Sequence, residues 1–139
     1  MASLYDRADI YDLFDSPKKD EQTKAHWQAV FGGKPPHTVL DVSIGTGGLT
    51  LPLSELGVTL YGSDLSESML ARCAQKAKDR GLTVDLRQSD FRELTNHFDR
   101  RFDCVMSTGN SLAYVTNGEI TSVLEQMDAL VEPGGYLYF

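Results

Sequence analysis

The chain has 139 residues, enough for one domain with a core of its own and leaving little room for a second. Hydrophobic residues make up 41% and charged residues 24%, a balance that excludes a disordered or collagen-like chain. Thirteen Lys and Arg stand against 20 Asp and Glu for a net charge of −7, which argues against nucleic-acid backbones and anionic membranes as partners.

No apolar run approaches the roughly 20 residues of a membrane span. Met1 to Asp6 lacks the basic start and apolar stretch of a signal peptide, so the expected compartment is the cytoplasm. Cys73 and Cys104 lie within apolar patterns and read as reduced core thiols, with no metal-ligand spacing around them.

Two helices are expected first. Leu4, Ala8, Tyr11 and Phe14 recur at helical spacing. Ser16-Pro17 then reads as a cap followed by proline at the first helical position, opening a helix that turns Thr23, Trp27, Val30 and Phe31 inward and stops at Gly32-Gly33. Lys34-Pro35-Pro36 is a linker.

From Thr38 onward short apolar runs alternate with helices. The strands expected are Thr38–Val42, Val58–Gly62, Thr83–Ser89 and Phe102–Ser107, with a fifth beginning at Tyr136. A helix after the first strand runs to about Leu56 and tolerates Pro52 in its first turn. Ser66 caps the next, whose apolar face is Met69, Leu70, Cys73, Ala74 and Ala77. Ile120, Val123, Leu124, Met127 and Leu130 mark the last helix, and Glu132-Pro133-Gly134-Gly135 a turn.

The alternation predicts an α/β fold, doubly wound, with a mostly parallel Rossmann-like sheet, helices on both faces and helices preceding it. In such sheets ligands bind outside the carboxyl ends of the strands, where the strand order switches. The first strand ends in Ser43-Ile44-Gly45-Thr46-Gly47-Gly48, the second in Asp64, the third in Asp90-Phe91 and the fourth in Thr108-Gly109-Asn110. Glycines permit a tight turn and close backbone approach to a ligand. A carboxylate such as Asp64, 23 residues after Asp41, can accept hydrogen bonds from ribose hydroxyls, although a helix-capping role fits the same position. A nicotinamide dinucleotide site fits poorly, because Thr50 stands where its third glycine belongs.

From Thr38 to Phe139 the chain resembles the class I S-adenosylmethionine-dependent methyltransferases. The motifs that carry the resemblance are Val39-Leu40-Asp41-Val42-Ser43-Ile44-Gly45-Thr46-Gly47, Leu60-Tyr61-Gly62-Ser63-Asp64-Leu65-Ser66 with Met69-Leu70, Asp90-Phe91, and Leu130-Val131-Glu132-Pro133-Gly134-Gly135-Tyr136-Leu137. Ser43 departs from the pattern by standing at its first glycine.

The resemblance implies S-adenosylmethionine as cofactor and direct in-line methyl transfer to a small-molecule acceptor. It further implies that Gly45 and Gly47, with Ser43 at the loop's start, line the methionine and ribose portion. Asp64 holds the ribose hydroxyls, Leu65 packs on adenine, and Met69 joins the cofactor contacts. Asp90 accepts from the adenine amino group, while the Phe91 backbone meets the ring edge. Backbone groups near Ser107 and Thr108 face the methionine ammonium, and Asp41 orients the loop or binds the amino-acid end. Residues 1–37 become an N-terminal helical lid with Tyr11 closing on the cofactor, and residues 38–139 the cofactor-binding core. Asn110 follows strand four, where the family commonly places substrate contacts.

His26, His37 and His97 read as surface or linker residues and Trp27 as core, so no catalytic base is assigned. The family's sheet has seven strands; the sixth and seventh are expected to be absent, leaving the Tyr136–Phe139 edge available for self-association. A cofactor-binding fragment without turnover, or an interaction domain with a vestigial site, is the alternative reading.

Overall fold

The computed structural model describes residues 17–108 and 117–138. Its centre is a five-stranded sheet in the order β3-β2-β1-β4-β5, every neighbouring pair parallel. The strands are β1 (Thr38–Asp41), β2 (Thr59–Asp64), β3 (Val84–Gln88), β4 (Phe102–Met106) and β5 (Val131–Tyr138). The helices are α1 (Pro17–Val30), α2 (Leu51–Ser54), α3 (Glu67–Asp79) and α4 (Asn117–Ala129). The chain builds outward from β1 to β3, then returns to β4 on the other side. The order therefore switches between β1 and β4.

Strand alternation divides the core into two layers. Val39 pairs in register with Leu60 and Cys104, and all three face the layer containing Trp27 of α1, Leu51 and Leu53 of α2, and Cys73 and Ala77 of α3. Leu40 pairs with Tyr61 and Val105, which face Val123 and Met127 of α4. Apolar side chains on both faces of the central strands β1, β2 and β4 are what a parallel sheet covered by helices demands, whereas β3 at the edge alternates apolar with charged residues.

Several expectations are corrected. The helix after β1 is a single turn, Leu51–Ser54, because the chain must descend at once into β2. Val30 and Ala74 are exposed rather than inward. Lys76 is buried in Ala74's place, at the step of three from Cys73 on α3. Glu132-Pro133-Gly134-Gly135 lies within β5 instead of before it. The partners of β4 pass from Val131 at Phe102 to Tyr136 at Cys104, so the extra residues bulge from a continuing strand. The expected first helix, with Leu4, Ala8, Tyr11 and Phe14, lies outside the described residues.

Gly62 fixes how closely the loop after β1 can rest on β2. A Cβ there would stand 2.5 Å from Ile44 Cδ1 and 3.0 Å from Leu86 Cδ2. Ile44 is buried and cannot withdraw into solvent. Gly62→Ala is therefore expected to cost about 1–3 kcal/mol of stability, measured by urea unfolding; an unchanged midpoint would show that Ile44 repacks freely.

Candidate cofactor and acceptor site

The carboxyl ends of β1 and β4 are joined through one buried carboxylate. Asp41 Oδ1 accepts the Ser43 backbone N–H at 3.1 Å and the Thr108 N–H at 3.4 Å. Its Oδ2 accepts the hydroxyls of Thr108 at 2.7 Å and Thr50 at 3.0 Å. Burial pushes the Asp41 carboxyl up to about 6, and these hydrogen bonds pull the other way without cancelling it. Asp41 thus orients the loop. Asp103 ties the opposite end of the same strand pair, accepting the N–H groups of His37 and Thr38.

Ser43 takes no left-handed angle, so the departure from glycine introduces no backbone strain. Its hydroxyl reaches the Ser107 hydroxyl at 2.9 Å and donates to the Thr108 carbonyl at 2.8 Å. Ser43, Ser107 and Thr108 together form a buried polar seam across the strand-order switch.

Gly45 and Gly47 both have positive φ, +58° and +84°. They differ in surroundings: nothing lies within 4 Å of a Cβ at Gly45, whereas one at Gly47 would collide with Leu51 and Cys73. Gly45 borders open space, and Gly47 is wedged against the core. The Gly45 N–H donates to Asp64 Oδ2 at 2.8 Å, and the Ser66 N–H donates to Asp64 Oδ1 at 3.0 Å. Asp64 thereby clips the glycine loop to the end of β2, and it is 1% exposed. The Ser66 hydroxyl accepts the Met69 N–H, so the helix cap belongs to Ser66.

Leu65 is 59% exposed beside Asp64, an apolar surface at the rim. Met69 is fully buried, so it supports that rim from behind instead of presenting a contact surface. Asp90 lies just past β3, and the ring of Phe91 packs partly buried against the Leu40–Val105 layer. Arg92 pairs with Asp90, which holds that carboxyl below the usual carboxylate range. Tyr11 and Asn110 lie outside the described residues.

A cleft of about 430 Å³ opens beside the switch, among Gln22, His26, Trp27, Leu49, Thr108 and Tyr138. The Trp27 Nε1–H donates to the Leu49 carbonyl at 2.7 Å and fixes α1 against the glycine loop. His26 Nε2 lies 3.3 Å from the Tyr138 hydroxyl at the cleft's side.

An adenosyl group requires a backbone that admits close approach, a hydroxyl acceptor, an apolar platform and an acceptor for its amino group. Gly45, Asp64, Leu65 and Asp90 have those chemistries, and the open space over Gly45 is a cradle that a Cβ would fill. The residues fit the group. Sequence reasoning missed Thr50, a wholly buried hydroxyl in an otherwise apolar Leu49–Leu53 run, and Arg92 two residues after the acid it grips.

A family model described as a methyltransferase domain matches residues 39–135. A phosphatidylethanolamine N-methyltransferase of Cereibacter sphaeroides is 41% identical over 114 residues, covering 77% of this chain and 52% of that protein. The CcbJ methyltransferase of Streptomyces caelestis superposes with a TM-score of 0.75 at 28% identity, over 94% of this chain and 54% of that one. DesVI of Streptomyces venezuelae gives 0.75 at 25% identity, over 99% and 56%. The chain spans 40%, 44% and 52% of the length of three curated relatives it matches, about half. No helix among the described residues is long and apolar enough to cross a membrane. On its matched motifs and its five-stranded parallel sheet, the chain belongs to the class I S-adenosylmethionine-dependent methyltransferases.

Proposed function

We propose that the protein is a cytoplasmic enzyme that transfers the methyl group of S-adenosylmethionine to a small-molecule acceptor. The observation that carries this reading is the joined rim of β1 and β2: the Gly45 amide on Asp64, with open space above the glycine. Asp64 would receive the ribose hydroxyls as the Gly45 amide yields its share of the carboxylate, and Leu65 would cover one face of the base. Asp90 would accept from the base's amino group. Ser107 and Thr108, locked by Ser43 and Asp41, would present backbone groups to the amino-acid end.

When bound, the cofactor supplies a methyl carbon already activated by its sulfonium. The protein's task is then alignment and exclusion of water, which together account for roughly 7–11 kcal/mol of such barriers. The cleft between α1 and the ends of β4 and β5 has the volume of a small-molecule pocket and adjoins Thr108. It would hold the acceptor, with residues 1–37 as a cover over the core of residues 38–139. The acceptor's nucleophilic atom would enter in line with the methyl carbon and the sulfur.

Calorimetry with S-adenosylmethionine and S-adenosylhomocysteine tests the reading. Both are expected to bind, and Asp64→Ala is expected to weaken binding about tenfold through lost charged hydrogen bonds. A screen with tritium-labelled methyl donor over amines, carboxylic acids and phenols then tests turnover. A folded protein that binds neither ligand would refute the cofactor site and favour an interaction domain.

A further inference from the structure

If Asp90 reads the amino group of the base, something must hold its carboxylate still. One residue does so. The Arg92 backbone N–H donates to Asp90 Oδ1 at 2.8 Å, and Arg92 Nε lies 2.9 Å from Oδ1 and 3.1 Å from Oδ2. Arg92 Nη2 donates to Oδ2 as well. The other arm of the guanidinium, Nη1, pairs with Glu119 in the first turn of α4. The arginine is thus anchored at both ends.

A carboxylate offers about four lone-pair directions. Three N–H donors take three of them: the backbone amide on Oδ1, Nη2 on Oδ2, and Nε shared between the two oxygens. One acceptor direction remains. That suits an N–H donor and repels a carbonyl oxygen.

We infer that Arg92 is a positioning residue that makes Asp90 a one-direction acceptor and so sets selectivity for an amino over an oxo group at the 6-position of the bound base. The inference rests on the adenosyl reading of this rim. Its effect is on geometry far more than on stability, because the arginine is 45% exposed and such pairs contribute little to folding. Glu119 serves as the outer anchor, linking the base-reading acid to α4.

Calorimetry on the whole chain with two probes, S-adenosylhomocysteine and S-inosylhomocysteine, tests this. The unsubstituted protein is expected to favour the adenosyl ligand by about tenfold or more. Arg92→Ala is expected to lose about tenfold in affinity for it and less than twofold for the inosyl ligand, with the melting temperature unchanged. Glu119→Gln should shift selectivity in the same direction by less. Equal losses for both ligands would reduce Arg92 to a loop support and overturn the inference. Unchanged or tighter adenosyl binding by Arg92→Ala would overturn it too. Failure of the unsubstituted, folded protein to bind S-adenosylhomocysteine would instead overturn the cofactor reading, and this inference with it.

Discussion

Replacing Asp41 with alanine is expected to destabilise the protein by about 2–6 kcal/mol, because two buried amides lose their acceptor at about 1–3 kcal/mol each. The carboxylate is wholly buried and accepts from the Ser43 amide, the Thr108 amide, and the Thr50 and Thr108 hydroxyls. The two hydroxyls can rotate toward new partners; the two amides cannot. They are also the groups that start the loop after β1 and the segment after β4, so both walls of the strand-order switch should loosen together. Urea unfolding of Asp41→Ala reads the loss, and a shift below 1 kcal/mol would mean that water replaces the carboxylate at little cost.

The same residue predicts an unusual pH profile. Its folded value of about 6 exceeds the ordinary 3.8, so the folded state holds that proton more tightly than the unfolded chain does. Stability from this group is therefore greatest at low pH and declines as pH rises from about 4 to about 6, by on the order of 3 kcal/mol in all. Asp90 behaves oppositely. Arg92 lowers its value, so its contribution is present above the ordinary carboxylate range and is lost at more acidic pH. Asp41→Asn keeps a carbonyl for the amides and turns its NH₂ toward the threonine hydroxyls, which can accept. It should cost far less than alanine and remove the decline between pH 4 and 6; a decline that survives in Asp41→Asn would assign it to another group.

What could be read from the sequence follows from what periodicity encodes. The runs Val39-Leu40 and Leu60-Tyr61 mark strands buried on both sides, and the motif ends after them, Gly45, Asp64 and Asp90, come to one rim because a parallel sheet aligns its carboxyl ends. Polar partners far apart in the chain leave no such trace. Ser43 meets Ser107 and Thr108 across more than 60 residues, and nothing local distinguishes its hydroxyl from a solvated one. Met69 shows the converse ambiguity: an apolar residue at helical spacing fits a ligand wall and a core equally, and here it is core. Glu132-Pro133-Gly134-Gly135 has turn chemistry and does bend the chain, yet hydrogen bonding to β4 resumes beyond it, so a turn signal became a bulge.

Gly47→Ala is expected to be almost as damaging as the loss of Asp41, while Gly45→Ala, two residues away, is expected to spare the fold. At Gly47 two penalties add. A φ of +84° costs an L-residue about 1–2 kcal/mol. The new methyl would also lie 2.6 Å from Leu51 Cγ and 2.8 Å from Cys73 Sγ, both on side chains with no exposed surface to retreat into, for about 1–3 kcal/mol more. At Gly45 only the backbone penalty applies, because the methyl enters open space. That space is the proposed cradle, so the ranking should invert for ligand binding: Gly45→Ala loses affinity for S-adenosylhomocysteine out of proportion to its small loss of stability. Paired melting and calorimetry on the two variants decide the matter. If Gly45→Ala binds as the unsubstituted protein does, the ligand lies elsewhere on the rim; if Gly47→Ala melts normally, α2 and α3 are not packed on this loop as tightly as Leu51 and Cys73 require.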